Sequence, residues 1–151
     1  MRVHEVRQQA EAQAQAAHGM LPRHVHRDSP VNLENSQGEN QVPVIMREVS
    51  VAAGAVNENL LAGSAFEFAR QNQLVSIGVN QAATGGFATI NSGADVVAEE
   101  FAPPIATVYP IIPDGMYFSD VAAAGDRLVV RYRNPTGGAI VVRVVCQVSP
   151  L

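Results

Sequence analysis

An antiparallel β-sandwich behind a helical and extended amino-terminal arm is the fold class this sequence predicts, and three observations carry it. From Val42 onward, short apolar runs are broken by turn residues roughly every ten positions, the pattern of a sandwich or barrel. Nothing between those runs is long enough for a helical crossover, so the strands pair antiparallel. Before Val42 the chain is polar and aperiodic, or Ala-rich at helical spacing. The boundary therefore divides an arm, residues 1–41, from a β domain, residues 42–151.

The β domain is read from its punctuation. Strands are expected over 43–52, 59–69, 73–80, 86–91, 94–101, 105–110, 116–119, 126–133 and 139–148. They are separated by Gln71-Asn72, Gly85-Gly86, Asn91-Ser92-Gly93, Pro113-Asp114-Gly115, Gly125-Asp126 and Asn134 to Gly138, residue types that turns favour. The last two strands read as a hairpin across 134–138. In it Leu128, Val130 and Tyr132 face Ile140, Val142, Val144, Cys146 and Val148 on the inner side. The outward row also carries Val129, Val141 and Val145, more apolar surface than a sheet usually offers to water. Two readings follow: these three form an oligomer interface, or a loop or the arm of the same chain covers them.

In the arm, residues 1–18 lack Gly and Pro and are rich in Ala, Gln and Glu, all good helix formers. Val3, Val6, Ala10, Ala14 and Ala17 make a narrow apolar stripe, too shallow to anchor a fold alone. Gly19 and Pro22 end it, and residues 22–41 read as an extended or disordered linker.

Composition sets the functional limits. With 151 residues, 47% of them hydrophobic, the chain has material for one core. A net charge of −4, with all ten basic residues Arg, is not the dense positive field that nucleic acid or an anionic membrane demands. The acidity sits in the β domain: residues 1–47 hold five Arg against five acids, and residues 48–151 five Arg against nine. No membrane span and no secretory leader are read, so a soluble, not conventionally secreted protein is expected. A single cysteine, Cys146, allows no intrachain disulfide and reads as a small buried side chain.

His24-Val25-His26 has the i, i+2 spacing by which two imidazoles on an extended segment chelate a metal. The cupin pattern that uses such a pair also wants a Glu soon after it and a later His; here Pro30 and Val31 follow, and no His comes after His26. The pair reads as solvated arm. Asp95, Glu99, Glu100, Asp114, Asp120 and Asp126 are numerous enough for an acid/base pair or a Ca²⁺ site. However, Asp114, Asp120 and Asp126 read as turn residues bonding their own backbone, and Glu99 and Glu100 as pointing to opposite faces of a strand. No serine sits in a nucleophile elbow, Cys146 has no nearby His, and Gly85-Gly86 lacks the helix and Lys of a phosphate loop. The aromatics alternate at strand spacing, as core residues do. Neither catalysis, cofactor nor metal is expected.

The layout of a polar arm before eight or so short strands, with Leu60-Leu61-Ala62-Gly63, Phe66-Glu67-Phe68, Ser92 to Glu100, Tyr109 to Asp114, Val121 to Arg127 and Arg133-Asn134, resembles small jelly-roll proteins of bacteriophage virions, nearest the capsid decoration, or cement, type. The resemblance spans about residues 44–148. It implies a homo-oligomer, often a trimer, made in the host cytoplasm and seated on the major capsid protein at the capsid surface. An arm ordering on such a lattice would present Val3 and Val6 as apolar contacts and Arg2, Arg7, Arg23 and Arg27 as donors. Alternative roles are a minor or vertex capsid protein, or a fibre head whose loops hold a sugar.

Overall fold

The computed structural model describes residues 42–151, and all their regular structure is β. Eight strands follow in order: β1 Val44–Val51, β2 Val56–Asn57, β3 Gln73–Gln81, β4 Phe87–Ser92, β5 Asp95–Phe101, β6 Tyr117–Ala122, β7 Leu128–Arg133 and β8 Ile140–Pro150. They form two four-stranded antiparallel sheets, ordered β1-β8-β3-β6 and β2-β7-β4-β5.

Alternation of side chains explains how the sheets share a core. In β7, Leu128, Val130 and Tyr132 are buried while Val129, Arg131 and Arg133 are half-exposed; in β4, Ala88, Ile90 and Ser92 are buried. From the first sheet, Val51, Val75, Ile77, Val79, Ile140, Val142, Val144 and Cys146 complete the same cluster. This β-sandwich-like packing buries the period-two apolar rows of β3, β4, β7 and β8, which water would otherwise disfavour. Phe118 of β6 lies 4.8 Å, ring centroid to centroid, from Phe101 of β5 at 56°, a tilted pair linking the sheets at one side.

Strand order corrects three expectations. Strands β7 and β8 are not a hairpin: β7 pairs with β2 and β4, and β8 with β1 and β3. The 134–138 loop crosses between sheets. Six of the seven connections cross in this way, and only β4–β5 closes a hairpin. The inner rows read from the sequence are nonetheless buried, because a row facing a core looks the same from either sheet.

The expected strand over 59–69 is a series of turns. Asn59 replaces the backbone ladder: its Oδ1 accepts from Leu61 N (3.0 Å) and Val130 N (3.0 Å), and its Nδ2 donates to Leu128 O (3.1 Å). Consecutive Leu60 and Leu61 are both buried, within turns rather than on alternating faces of a strand. The expected strand over 105–110 is reduced to one parallel bridge, Gln81 to Ile105. Pro103, Pro104 and Pro110 have no N–H to give a ladder.

Candidate functional site

The 60–71 loop builds a groove at one end of the sandwich. Glu67 anchors it, with Oε2 accepting from Gly63 N (2.7 Å) and Oε1 from Arg127 Nε and Nη2 (3.0 and 2.8 Å). The Gly63 amide first, and then the Arg127 guanidinium, hold the Glu67 carboxyl below the usual 4.5. Backbone bonds from Leu128 N to Glu67 O and from Ala69 N to Asp126 O, 2.8 Å each, fix the loop to the start of β7. Between it and the ends of β1, β3 and β8 lies a space of about 340 Å³ lined by Pro43, Phe66, Phe68, Arg70, Gln73 and Val148 among others. Phe68 is 53% exposed, with the Arg127 guanidinium 5.9 Å from its ring centroid. An aromatic face flanked by amide and guanidinium donors suits a neutral, hydroxyl-bearing ligand or an extended peptide.

The outer face of the second sheet is charged and internally paired. Glu100 meets both Arg133 and Arg131, and Arg131 also meets Glu58 at 3.2 Å. The Arg133 hydrogen bond lowers the Glu100 pKa, and Glu100 raises that of Arg133. Glu100 has φ of 43°, an unusual conformation for a side-chain-bearing residue, where the β4–β5 register slips between Ala88 and Ile90. That slip breaks the alternation expected of Glu99 and Glu100: both are exposed.

Other candidates fall apart in space. Asp126 behaves as a turn residue, its Oδ2 accepting from Ala123 N at 2.8 Å. Asp120 does not: it sits within β6, between Phe118 and Ala122 on the inward row, with Oδ2 enclosed and unbonded. Among the described residues no three His, Cys, Asp or Glu side chains converge as a metal site would require. Burial pushes the Cys146 thiol up to about 12, so it stays protonated at neutral pH and is no nucleophile.

Val129, Val141 and Val145 do not make one surface. Val129 points outward from the second sheet, Val141 and Val145 from the first. Val145 is only 3% exposed. It lies opposite Gly78, on which Pro110 packs so closely that an added Cβ would sit 2.6 Å from the Pro110 Cβ. The 103–116 segment thus runs over this part of the sheet, tied by Asn80 Nδ2 donating to Val108 O (3.0 Å) and Gln81 N to Pro104 O (2.9 Å). Val3, Val6, Arg2, Arg7, Arg23, Arg27, His24 and His26 lie outside the described residues.

Sequence reading missed the buried polar joints. Tyr132 O–H donates to Gln81 Oε1 (2.7 Å), which also accepts from Gly86 N (3.2 Å), while Gln81 Nε2 donates to Pro103 O (2.8 Å). Asn134, wholly buried, donates to Val51 O, Ala52 O and Gly138 O and accepts from Thr136. Both sets tie one sheet to the other, which is structural work. A signal was available for Asn134 alone, a polar residue at a strand end beside Pro135. No family model, curated protein or solved structure matches this chain.

Proposed function

We propose that this chain is a non-enzymatic structural protein of a bacteriophage virion, a decoration (cement) protein that binds the major capsid protein and stabilises the head. The observation that carries the reading is strand pairing: β1 with β8, β2 with β7, β3 with β6 and β4 with β5. A long eight-stranded hairpin rolled into two facing sheets would give that order, which supports reading the sandwich as a jelly roll, a fold of viral capsid domains. Cupins share the fold, but their metal lies inside; here Tyr132, Leu60, Leu61, Ile90 and Leu128 fill the interior, which supports a structural role. A homo-oligomer, trimer first, and attachment through residues 1–41 belong to the same reading, since repeated weak contacts on a lattice add up through multivalency.

Quantitative mass spectrometry of purified particles tests it. A fixed, high ratio of this chain to the major capsid protein is expected, and absence from particles would overturn the reading. A low ratio would favour a minor or vertex capsid protein. The groove beside Phe68 favours one further reading, a fibre or receptor-binding module that holds a sugar. That reading requires glycan binding which Phe68→Ala abolishes.

A further inference from the structure

The two outer faces of the sandwich differ in kind. That of the second sheet is laced with Arg131, Arg133, Glu58 and Glu100. On the first sheet the register aligns outward side chains in rows, and the three rows nearest the β1 start hold no carboxylate, guanidinium or imidazole. Their apolar members are Val44 (48% exposed), Met46 (58%), Leu74 (38%), Tyr117 (38%) and Val121 (56%), with Met116 (45%) at the rim. Ser76 and Ser119, whose hydroxyls bond each other at 2.9 Å, fill the middle row, and in the third row Pro110 packs on Gly78 between Met46 and Tyr117. The first charges come in the next row, where Glu48 and Arg143 meet at 2.7 Å and satisfy one another.

We propose that a second copy of this chain packs on this neutral face of the first sheet. Its six large side chains leave on the order of 500 Å² of apolar surface, the size of the largest patch on a typical monomer. With the Ser and Gln residues between them, the face approaches the ~800 Å² per partner that a standard interface buries. Neutrality identifies the occupant. In a two-fold contact a residue near the axis meets its own copy, so a carboxylate or Arg there would confront its own sign, whereas neutral side chains meet without that cost. A partner of opposite charge would call for countercharges in these rows, and the three rows hold none; the exposed Asp114 lies outside them, beside Met116 at the rim. The inference rests on the homo-oligomer in the proposed function but not on the virion, so a monomer would sink it without touching the particle measurement. It also leaves out Val129 and Val141, and Val145, though it shares a row with Met46 and Tyr117, is itself buried.

Sedimentation equilibrium of the full 151-residue chain gives the test, with Val121→Glu and Met46→Glu against Thr89→Glu on the charged sheet. The wild-type chain and Thr89→Glu should run at a multiple of 16.0 kDa. Each face variant should weaken association at least ~10-fold, because burying an unpaired charge is strongly unfavourable. Circular dichroism establishes that each variant is folded. Hydroxyl-radical footprinting of the unmodified chain adds a measurement free of mutation: Met46 should become protected as concentration rises. A wild-type monomer, assembly indifferent to Val121→Glu, or Met46 protection independent of concentration would each overturn the proposal.

Discussion

Replacing Gln81 should cost far more than replacing the tyrosine that bonds to it. Gln81 is 1% exposed and serves three groups at once: the Tyr132 hydroxyl, the Gly86 amide and the Pro103 carbonyl. Tyr132→Phe removes one donor, and Gln81 Oε1 still accepts from Gly86, so about 1 kcal/mol is expected, the net worth of a neutral hydrogen bond. Gln81→Leu keeps much of the volume but strands all three partners; at roughly 1–3 kcal/mol for each unsatisfied buried group, partly relieved by relaxation, the loss should be about 3 kcal/mol or more. In the Gln81→Leu background the hydroxyl is already orphaned, so adding Tyr132→Phe should restore about 1 kcal/mol. Urea unfolding measures all four corners of the cycle. With m near ~2 kcal/mol/M, the midpoint should fall by roughly 0.5 M for Tyr132→Phe and roughly 1.5 M for Gln81→Leu, then recover in part in the double variant. A Tyr132→Phe effect of the same sign and size in both backgrounds would refute the network.

Four further outcomes are expected. Asn134→Ala removes five hydrogen bonds from the loop between β7 and β8 and should cost about 3 kcal/mol or more by the same urea assay. Burial pushes Tyr132 and Cys146 up to about 12 from ordinary values of 10.0 and 9.0; the unfolded chain loses those protons first, so stability should be undiminished below about pH 9 and fall as pH rises toward 12. Tyr132→Phe should flatten the part of that decline above pH 10. Glu67 and Glu100 are lowered from 4.5, so their contributions should persist above that pH and fade below it, and Glu67→Gln should reduce the acid-side slope. Removing residues 1–41 should leave the thermal transition nearly unchanged yet release the protein from its particle; a truncated chain that fails to fold would place those residues in the core.

Local rules were legible in the sequence and long-range ones were not. Alternation in Leu128 to Arg133 and Ile140 to Val148 identified the inner rows, since burial imposes period two on any strand whatever its neighbour. Which sheet each strand joins depends on closing loops across the whole chain, and a five-residue loop such as 134–138 fits a hairpin and a crossing equally. Read as a hairpin, that loop puts Val129, Val141 and Val145 on one face; as a crossing it separates them. The 59–69 stretch misled because Asn59 supplies through its side chain the bonds that a strand supplies through its backbone. The groove beside Phe68 was hidden likewise: its lining comes from Pro43 before β1, from β3 and β8, and from the 60–71 loop, which no local pattern brings together. The neutral face needed the register itself, for Met46, Gly78 and Tyr117 share a row only once β1, β8, β3 and β6 are aligned.

A density map of purified phage particles at subunit resolution tests the virion role most directly. Density for the two-sheet domain of residues 42–151, seated on the outside of the capsid shell at every equivalent lattice position and continuing at Val42 into contact with the major capsid protein, is the expected result. A map whose shell and tail density is fully accounted for without this domain would contradict it.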